Sequence, residues 1–425
     1  MSGDESASTL SIGGRRGGLL IGAAAAVSAL SGLASQVLLE RALGMQGFAE
    51  WAYLSALLAI SAPLACMGSG HLLLSSALRE DLADRAGLLL LATYFGSFTL
   101  LALAVFAVSL RTGAPGNLMT LPWALLCAPL LVQIPIALVF PLYQRRGSMR
   151  RVAAWPLLQS AVRLLMALTA LALGLTIFGV LMAWVVLSLG LLAVAIRSIW
   201  PLVRVRMRRP AAAGRFPLRQ RISRLYLSGV GFGLSDLLDS LDLKLFVPLA
   251  ALLFGVTETA AAGLATILLA AVHFFPYVLV MRVLLPAVHS GSDAMSQVLR
   301  SLVLRLSAFA SFALVPLVIA FLCCGLTILG FFVRGDYSSQ EAALSWLGLC
   351  FIPLCVSQIA AAPHMARRDT WRLFWWRVEA LALFVGVALS LSELGLLAIV
   401  IGFSVGRTWL CVRVFWALRF QAEAR

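Results

Sequence analysis

Apolar runs of about twenty residues recur along the whole chain, with no polar residue at alternate positions inside them. A helix needs about 20 mostly apolar residues to cross a bilayer. A transmembrane strand instead alternates polar and apolar residues over about 10 positions, so an outer-membrane barrel is excluded. Charged residues make up only 12% of the 425 residues and apolar ones 61%, whereas a soluble domain carries about 25% charge. A soluble enzyme, a secreted disulfide scaffold and a disordered chain are excluded with it. The expectation is an all-α polytopic membrane protein.

The runs place twelve spans at 18–39, 52–75, 87–110, 122–143, 153–173, 178–196, 225–251, 260–287, 301–333, 343–365, 374–391 and 396–417. The connectors after 173 and 391 are short. The run 301–333 exceeds what a bilayer needs, so it tilts or projects. Basic residues then set the orientation, because cytoplasmic loops retain Arg and Lys. The N-terminus, alternate connectors and the C-terminus hold 23 basic residues, and the other connectors hold only Arg41, Arg111 and Arg334. Both termini are therefore expected in the cytoplasm of a bacterial inner membrane. Arg15-Arg16 before an apolar run resembles a twin-arginine export signal, but the run outlasts the usual 7–15 residues of a signal.

The longest connector carries nine Arg with Pro201, Pro210 and Pro217 at mid-chain. The expected organisation is a cytoplasmic tail at 1–17, an N-lobe at 18–198, a basic linker at 199–224, a C-lobe at 225–417 and a second tail at 418–425. The linker reads as a headgroup-facing segment. Only Trp200 and Phe216 interleave its charges, so nucleic acid is not expected as a partner. Two six-helix lobes of one orientation imply an axis along the membrane normal and a cavity between them. A faint repeat agrees: Leu43-Gly44 and Phe254-Gly255 each precede an even-numbered span, with Ala49 and Ala260 five residues past each glycine. The seven cysteines and four histidines are scattered, so neither disulfides nor a metal site is expected.

The segment LERALGMQGFAEWAYL at 39–54 is similar to the first turn of the polysaccharide-transport flippases, within the multidrug/oligosaccharidyl-lipid/polysaccharide exporter (MOP) superfamily. Arg41, Leu43, Gly44, Gly47 and Phe48 fit that pattern, and Ala49 stands where the family usually has Gly. DLKLFVPLAALLFGVTETAAAGLA at 242–265 resembles its second half through Asp242, Lys244 and Gly255, and VLLPAV at 283–288 does so through Pro286. The resemblance covers about residues 18–80 and 225–290. It implies a flippase for a glycan linked by pyrophosphate to a polyprenol, with two lobes open alternately to either side. It also implies a glycan polymerase and glycosyltransferases of the same pathway as partners, and membrane lipid around the chain.

Charges within the spans carry the functional reading, because a charge at mid-bilayer costs at least about 2.5 kcal/mol unless it borders a cavity or a partner. Asp236, Asp239 and Asp242 recur every third residue and share one helix face. With Glu379 they are candidates for coupling transport to Na⁺ or H⁺, the alternative being ion pairs with Arg377 or Arg407. By position only, this fits the cation site between spans 7 and 11 of related flippases. Arg163 and Arg407 are candidates for a cationic cavity that neutralises pyrophosphate, with Arg377 and Lys244 behind them. His273 reads as a packed, hydrogen-bonded residue. No other cofactor is expected.

Two rivals remain at this level. DLADRAG at 81–87 resembles the loop between spans 2 and 3 of major facilitator transporters, apart from Glu80 and Leu88-Leu89. A membrane glycan polymerase or ligase is the second, although the Arg-poor connectors are only about a dozen residues long and no phosphate-binding GxxxxGK[ST] loop is present. The protein is therefore expected to be a transporter and not an enzyme.

Overall fold

The structure is a computed structural model, which describes residues 5–68, 72, 85–116, 118–145, 148–207, 217–278, 295–330, 335–366 and 370–423. Every regular element in these residues is helical: α1 Glu5–Ala65, α2 Arg85–Gly113, α3 Trp123–Arg145, α4 Met149–Leu173, α5 Ile177–Met207, α6 Leu218–Lys244, α7 Phe246–Leu253, α8 Val256–Val278, α9 Met295–Gly330, α10 Glu341–Trp346, α11 Phe351–Ala366, α12 Thr370–Ser390 and α13 Leu396–Glu423, with short 3₁₀ turns between some of them. In lipid, helices are the open-chain form that satisfies every backbone N–H and C=O internally. Large apolar side chains remain exposed on their outer faces, among them Phe312 at 80% and Leu173 at 68%. Such a surface suits acyl chains, not water.

Ten helices among the described residues are long and apolar enough to cross a membrane, one of them Leu20–Ala65. That one contains two crossings. Gly44 breaks its helical geometry at φ 65°, ψ 178°, a conformation open to a residue without Cβ. Trp51 Nε1 donates to Gln36 Oε1 at 2.9 Å across the break. Fifteen residues of straight helix would set these groups about 22 Å apart, so the chain folds back at Gly44. The turn falls inside the expected connector 40–51. The twelfth crossing is α6 with α7. Its aspartates and lysine hold α6 below the apolarity of a span, and α7 continues it after Leu245, whose own N–H bonds Leu241 O. The short connectors after 173 and 391 are turned at Gly174 (φ 59°) and Gly395 (φ 60°). The long ninth span bends at Cys324, which leaves helical geometry at φ −139°.

Helices also run beyond the apolar runs. The helix α1 begins at Glu5, α5 continues to Met207 and α13 reaches Glu423, so parts of the expected tails and linker are helical. Apolarity marks only the segment in oil, while a helix bearing Arg can continue into the headgroups. Linker residues 208–216, and the segments 69–71, 73–84, 279–294, 331–334 and 367–369, lie outside the described residues. Most of DLADRAG and Pro286 lie there too.

Three apolar cores organise the helices. The largest joins both halves of the chain: Leu126 and Ala167 from the first half share it with Ala260, Phe351 and Val400 from the second. Its members on α3, α4, α5, α8, α11 and α13 come from the ends near the Arg-poor connectors. A second core belongs to the first half alone, around Val139, Val152 and Ala195. A third belongs to the second half alone, around Val303, Ala361, Leu373 and Val414. Both lie toward the Arg-rich connectors. The two lobes therefore share their core chiefly at the Arg-poor end, and apart from the contact of α6 with α1 and α2 each has a core of its own toward the Arg-rich end, as in a V.

One flank of the V is stitched shut. At the Arg-rich end of α6, a Cβ on Gly229 would collide with Tyr94 Oη, and one on Gly233 with Met67 Sδ. Tyr94 Oη in turn donates to Met67 O at 3.1 Å. Glycine provides this close approach of α6 to α1 and α2. At the Arg-poor end, Gly263 of α8 sits against Phe48 and Ala52 of α1, where an added Cβ would lie 2.7 Å from Ala52 Cβ.

Inside the C-lobe, α12 and α13 pack backbone to backbone. A Cβ on Gly402 would stand 2.5 Å from Phe384 O, and one on Gly406 2.5 Å from Ala380 O. Overpacking of this kind costs about 1–3 kcal/mol. Gly406→Val is expected to lower stability by that amount, measured as the shift in unfolding midpoint in detergent micelles. An unchanged midpoint would show that the two helices can separate freely.

Candidate functional site

The face that α4 turns to lipid is explicit. Ala154, Leu158, Ala161, Leu165, Leu168 and Ala172 are exposed and recur at steps of three and four residues, which is one stripe of a helix. Arg163 is two residues from both Ala161 and Leu165, hence about 160° away from the stripe at 100° per residue. It is nevertheless exposed, although it stands deep within the protein envelope. An exposed side chain on the inner face of a lobe borders the gap of the V. Ten residues before the end of α4 place it about 15 Å from that end, close to mid-membrane.

Lys244 reaches the same space from the other lobe. It is only partly buried and lies within Coulombic range of Arg163. Asp242 and Lys244 are two residues apart at the end of α6, so they point to nearly opposite sides. Asp242 turns into the C-lobe and Lys244 into the gap. Among the described residues, Arg163 and Lys244 make no ion pair or hydrogen bond. Two cations from facing lobes thus lie near each other at mid-depth.

Arg407 is placed differently from the expectation. It is 2% exposed, and its Nη2 lies 3.1 Å from Asp242 Oδ2. Its Nη1 donates to Ser357 Oγ at 3.4 Å, and its Cζ stands 5.5 Å from the Phe403 ring centroid. The guanidinium therefore ties α13 to α6 and α11 inside the C-lobe and does not line the gap. Arg377 is also buried, at 2% exposure. Depth in a span reveals that a charge needs a solution, but the rotation of its helix decides whether the solution is a cavity or a carboxylate.

Among the described residues Glu379, expected with the aspartates of span 7, is bonded instead to α13. Arg413 donates to both Glu379 oxygens, Nε to Oε2 at 2.8 Å and Nη2 to Oε1 at 2.7 Å. Trp409 Nε1 adds a third bond at 3.0 Å. Glu379 lies two residues from the buried Arg377, so it points out of the lobe while Arg377 points in. Asp236 and Asp239 lie on α6, but their side chains fall outside the described ones. Among the described residues no group of three or more His, Cys, Asp or Glu is arranged to hold a metal ion. His273 is 9% exposed on α8.

Glu40 lies in the connector between the first two expected spans, yet it is fully buried. Its Oε1 accepts the Gly335 N–H at 2.9 Å, from the opposite half of the chain. A charged residue beside a turn glycine reads in sequence as a solvated end, and nothing local marks its partner 295 positions away.

No protein-family model matches the chain, and no curated protein sequence matches it significantly. Solved structures do. The chain is similar to the inward-facing conformation of a multidrug resistance MATE family transporter of the MOP superfamily, at TM-score 0.71 and 17% identity over 93% of this chain and 95% of that one. The chain has the fold of the MOP superfamily. An outward-facing conformation of such a transporter aligns at TM-score 0.57 and 15% identity, over 96% of each chain. A MOP superfamily transporter from Pyrococcus furiosus, described as having a binding pocket of reverse polarity that suggests a different function, aligns at 0.58 and 14%, over 96% of each chain. All three are described as transporters. The shared architecture of two joined lobes sets aside the major facilitator fold.

Proposed function

We propose that the protein is an alternating-access transporter that moves an anionic amphipath, a polyprenyl-pyrophosphate-linked oligosaccharide, across the bacterial inner membrane. The Arg-rich face is assigned to the cytoplasm on the balance of basic residues, so the V opens inward. The observation that carries the reading is the Arg163–Lys244 pair, two like charges from facing lobes that lie near each other and make no ion pair among the described residues. Like charges repel in a low-dielectric interior and are stabilised by an anion between them. Arg binds phosphate bidentately and Lys as a point charge, which suits the two phosphates of the cargo. The same pair disfavours an organic cation as cargo. The glycan itself rests on the resemblance of residues 39–54 and 242–265 to the polysaccharide flippases. Coupling to Na⁺ or H⁺ rests with Asp236 and Asp239, and glycosyltransferases and a polymerase of the pathway are the proposed partners.

The test is translocation of a fluorescent polyprenyl-pyrophosphate glycan in liposomes, read by its access to a membrane-impermeant quencher. Protein-dependent movement that leaves a permanently cationic dye unmoved supports the reading. Movement of the dye and not of the pyrophosphate would overturn it. For coupling, Asp239→Asn is expected to remove the dependence on an imposed Na⁺ or pH gradient. Equal gradient dependence in the variant and the wild type would release Asp239 from that role.

A further inference from the structure

The closed end of the V is held by more than apolar packing. Glu40 stands at the end of the first limb of α1, and Gly335 lies in the connector before α10, so their hydrogen bond joins the two lobes where they meet. The connector is shaped for this contact. Asp336 Oδ1 accepts the Ser338 N–H at 3.0 Å, and Gln340 N–H bonds Tyr337 O at 2.9 Å, which turns the chain tightly around Tyr337. A Cβ on Gly335 would lie 2.7 Å from the Tyr337 ring and 3.1 Å from Glu40 Oε1, so the absence of a side chain is what lets the backbone N–H reach the carboxylate. Tyr337 is 2% exposed, and burial together with the Glu40 charge pushes its phenol up. Carboxylate and phenol are therefore packed in one dry junction.

We propose that Glu40 is an interlobe latch, holding the Arg-poor gate shut by accepting the Gly335 N–H and seating the Tyr337 turn. The proposal rests on the alternating-access reading, because only a chain that opens at this end must break the contact. Opening exposes a charge-assisted hydrogen bond to water and separates its partners. Such a bond contributes about 1.5–3 kcal/mol, which is about a tenfold to hundredfold bias toward the closed gate at 1.4 kcal/mol per tenfold. The sequence alone would not suggest it, since Glu40 and Gly335 are each next to an Arg in a polar connector.

The test is a distance measurement across the Arg-poor end. Spin labels at Met119 and Leu394, exposed at 44% and 50% on connectors of the two lobes, report opening by pulsed electron resonance in the full chain, reconstituted in lipid with its native cysteines replaced. Glu40→Ala is expected to raise the long-distance population about tenfold or more. Glu40→Gln, which keeps an acceptor oxygen without the charge, is expected to fall between it and wild type. Identical distributions in all three proteins would overturn the latch. If the distances shift but no cargo moves in liposomes, the latch stands and the transport reading falls. If cargo moves and the distances do not shift, the latch alone falls.

Discussion

Reversing the charge at Arg163 is expected to reduce translocation of a pyrophosphate-bearing polyprenol at least about a hundredfold, while the amount of protein in the membrane stays near that of wild type. Two charge-assisted bonds to phosphate are lost in Arg163→Glu, at about 1.5–3 kcal/mol each, and a repulsion is added. Arg163→Ala is expected to lose less, about tenfold to a hundredfold. Stability should not fall with activity. Among the described residues Arg163 makes no ion pair, and its removal relieves the repulsion with Lys244, so the unfolding midpoint is expected to hold or rise slightly. Normal translocation in Arg163→Glu would remove the cationic path from the mechanism. Lost translocation with an equal loss of stability would make Arg163 a structural residue.

Arg407 is expected to behave in the opposite way. Arg407→Ala leaves the Asp242 carboxylate, 5% exposed, without the guanidinium beside it. Breaking one side of a buried pair costs about 3–5 kcal/mol, whereas exchanging both members for apolar residues is often neutral. The single variant should unfold at a much lower denaturant concentration or fail to accumulate. The double variant Asp242→Leu/Arg407→Met should recover most of that stability, and its translocation would then report whether the pair has any further role. A single variant as stable as wild type would show that Asp242 is solvated or protonated without Arg407. The contrast with Arg163 separates two deep arginines that look alike in sequence, one exposed and without an ion pair among the described residues, the other paired inside the C-lobe.

The order of the twelve crossings, the reversal near Gly44 and the asymmetry of basic residues were legible in the residues, because each depends on local apolarity or on a single turn. A run of about twenty apolar residues has no soluble alternative, and an Arg is held at a headgroup whatever the helices pack against. The resemblance at 39–54 also pointed to the superfamily whose fold the chain has. The helical extensions at Glu5, Met207 and Glu423 were not legible, since a helix in the headgroup region needs no apolar run.

The partners of buried charges lay beyond that reading. Asp236, Asp239 and Asp242 share a face by spacing, but spacing cannot say which helix that face meets. Arg163 and Arg407 are similarly deep in their spans, yet Arg163 is exposed at the gap while Arg407 is buried at 2% exposure, and Glu379 is paired with Arg413 because it lies two residues from the inward-facing position. Local sequence determined how often the chain crosses, where it turns and which charges must be stabilised, because bilayer transfer energy acts on each segment alone. Only the tertiary structure decided which charge meets a carboxylate, which meets the gap and how Glu40 meets Gly335, because the rotation of each helix is set by packing against residues hundreds of positions away.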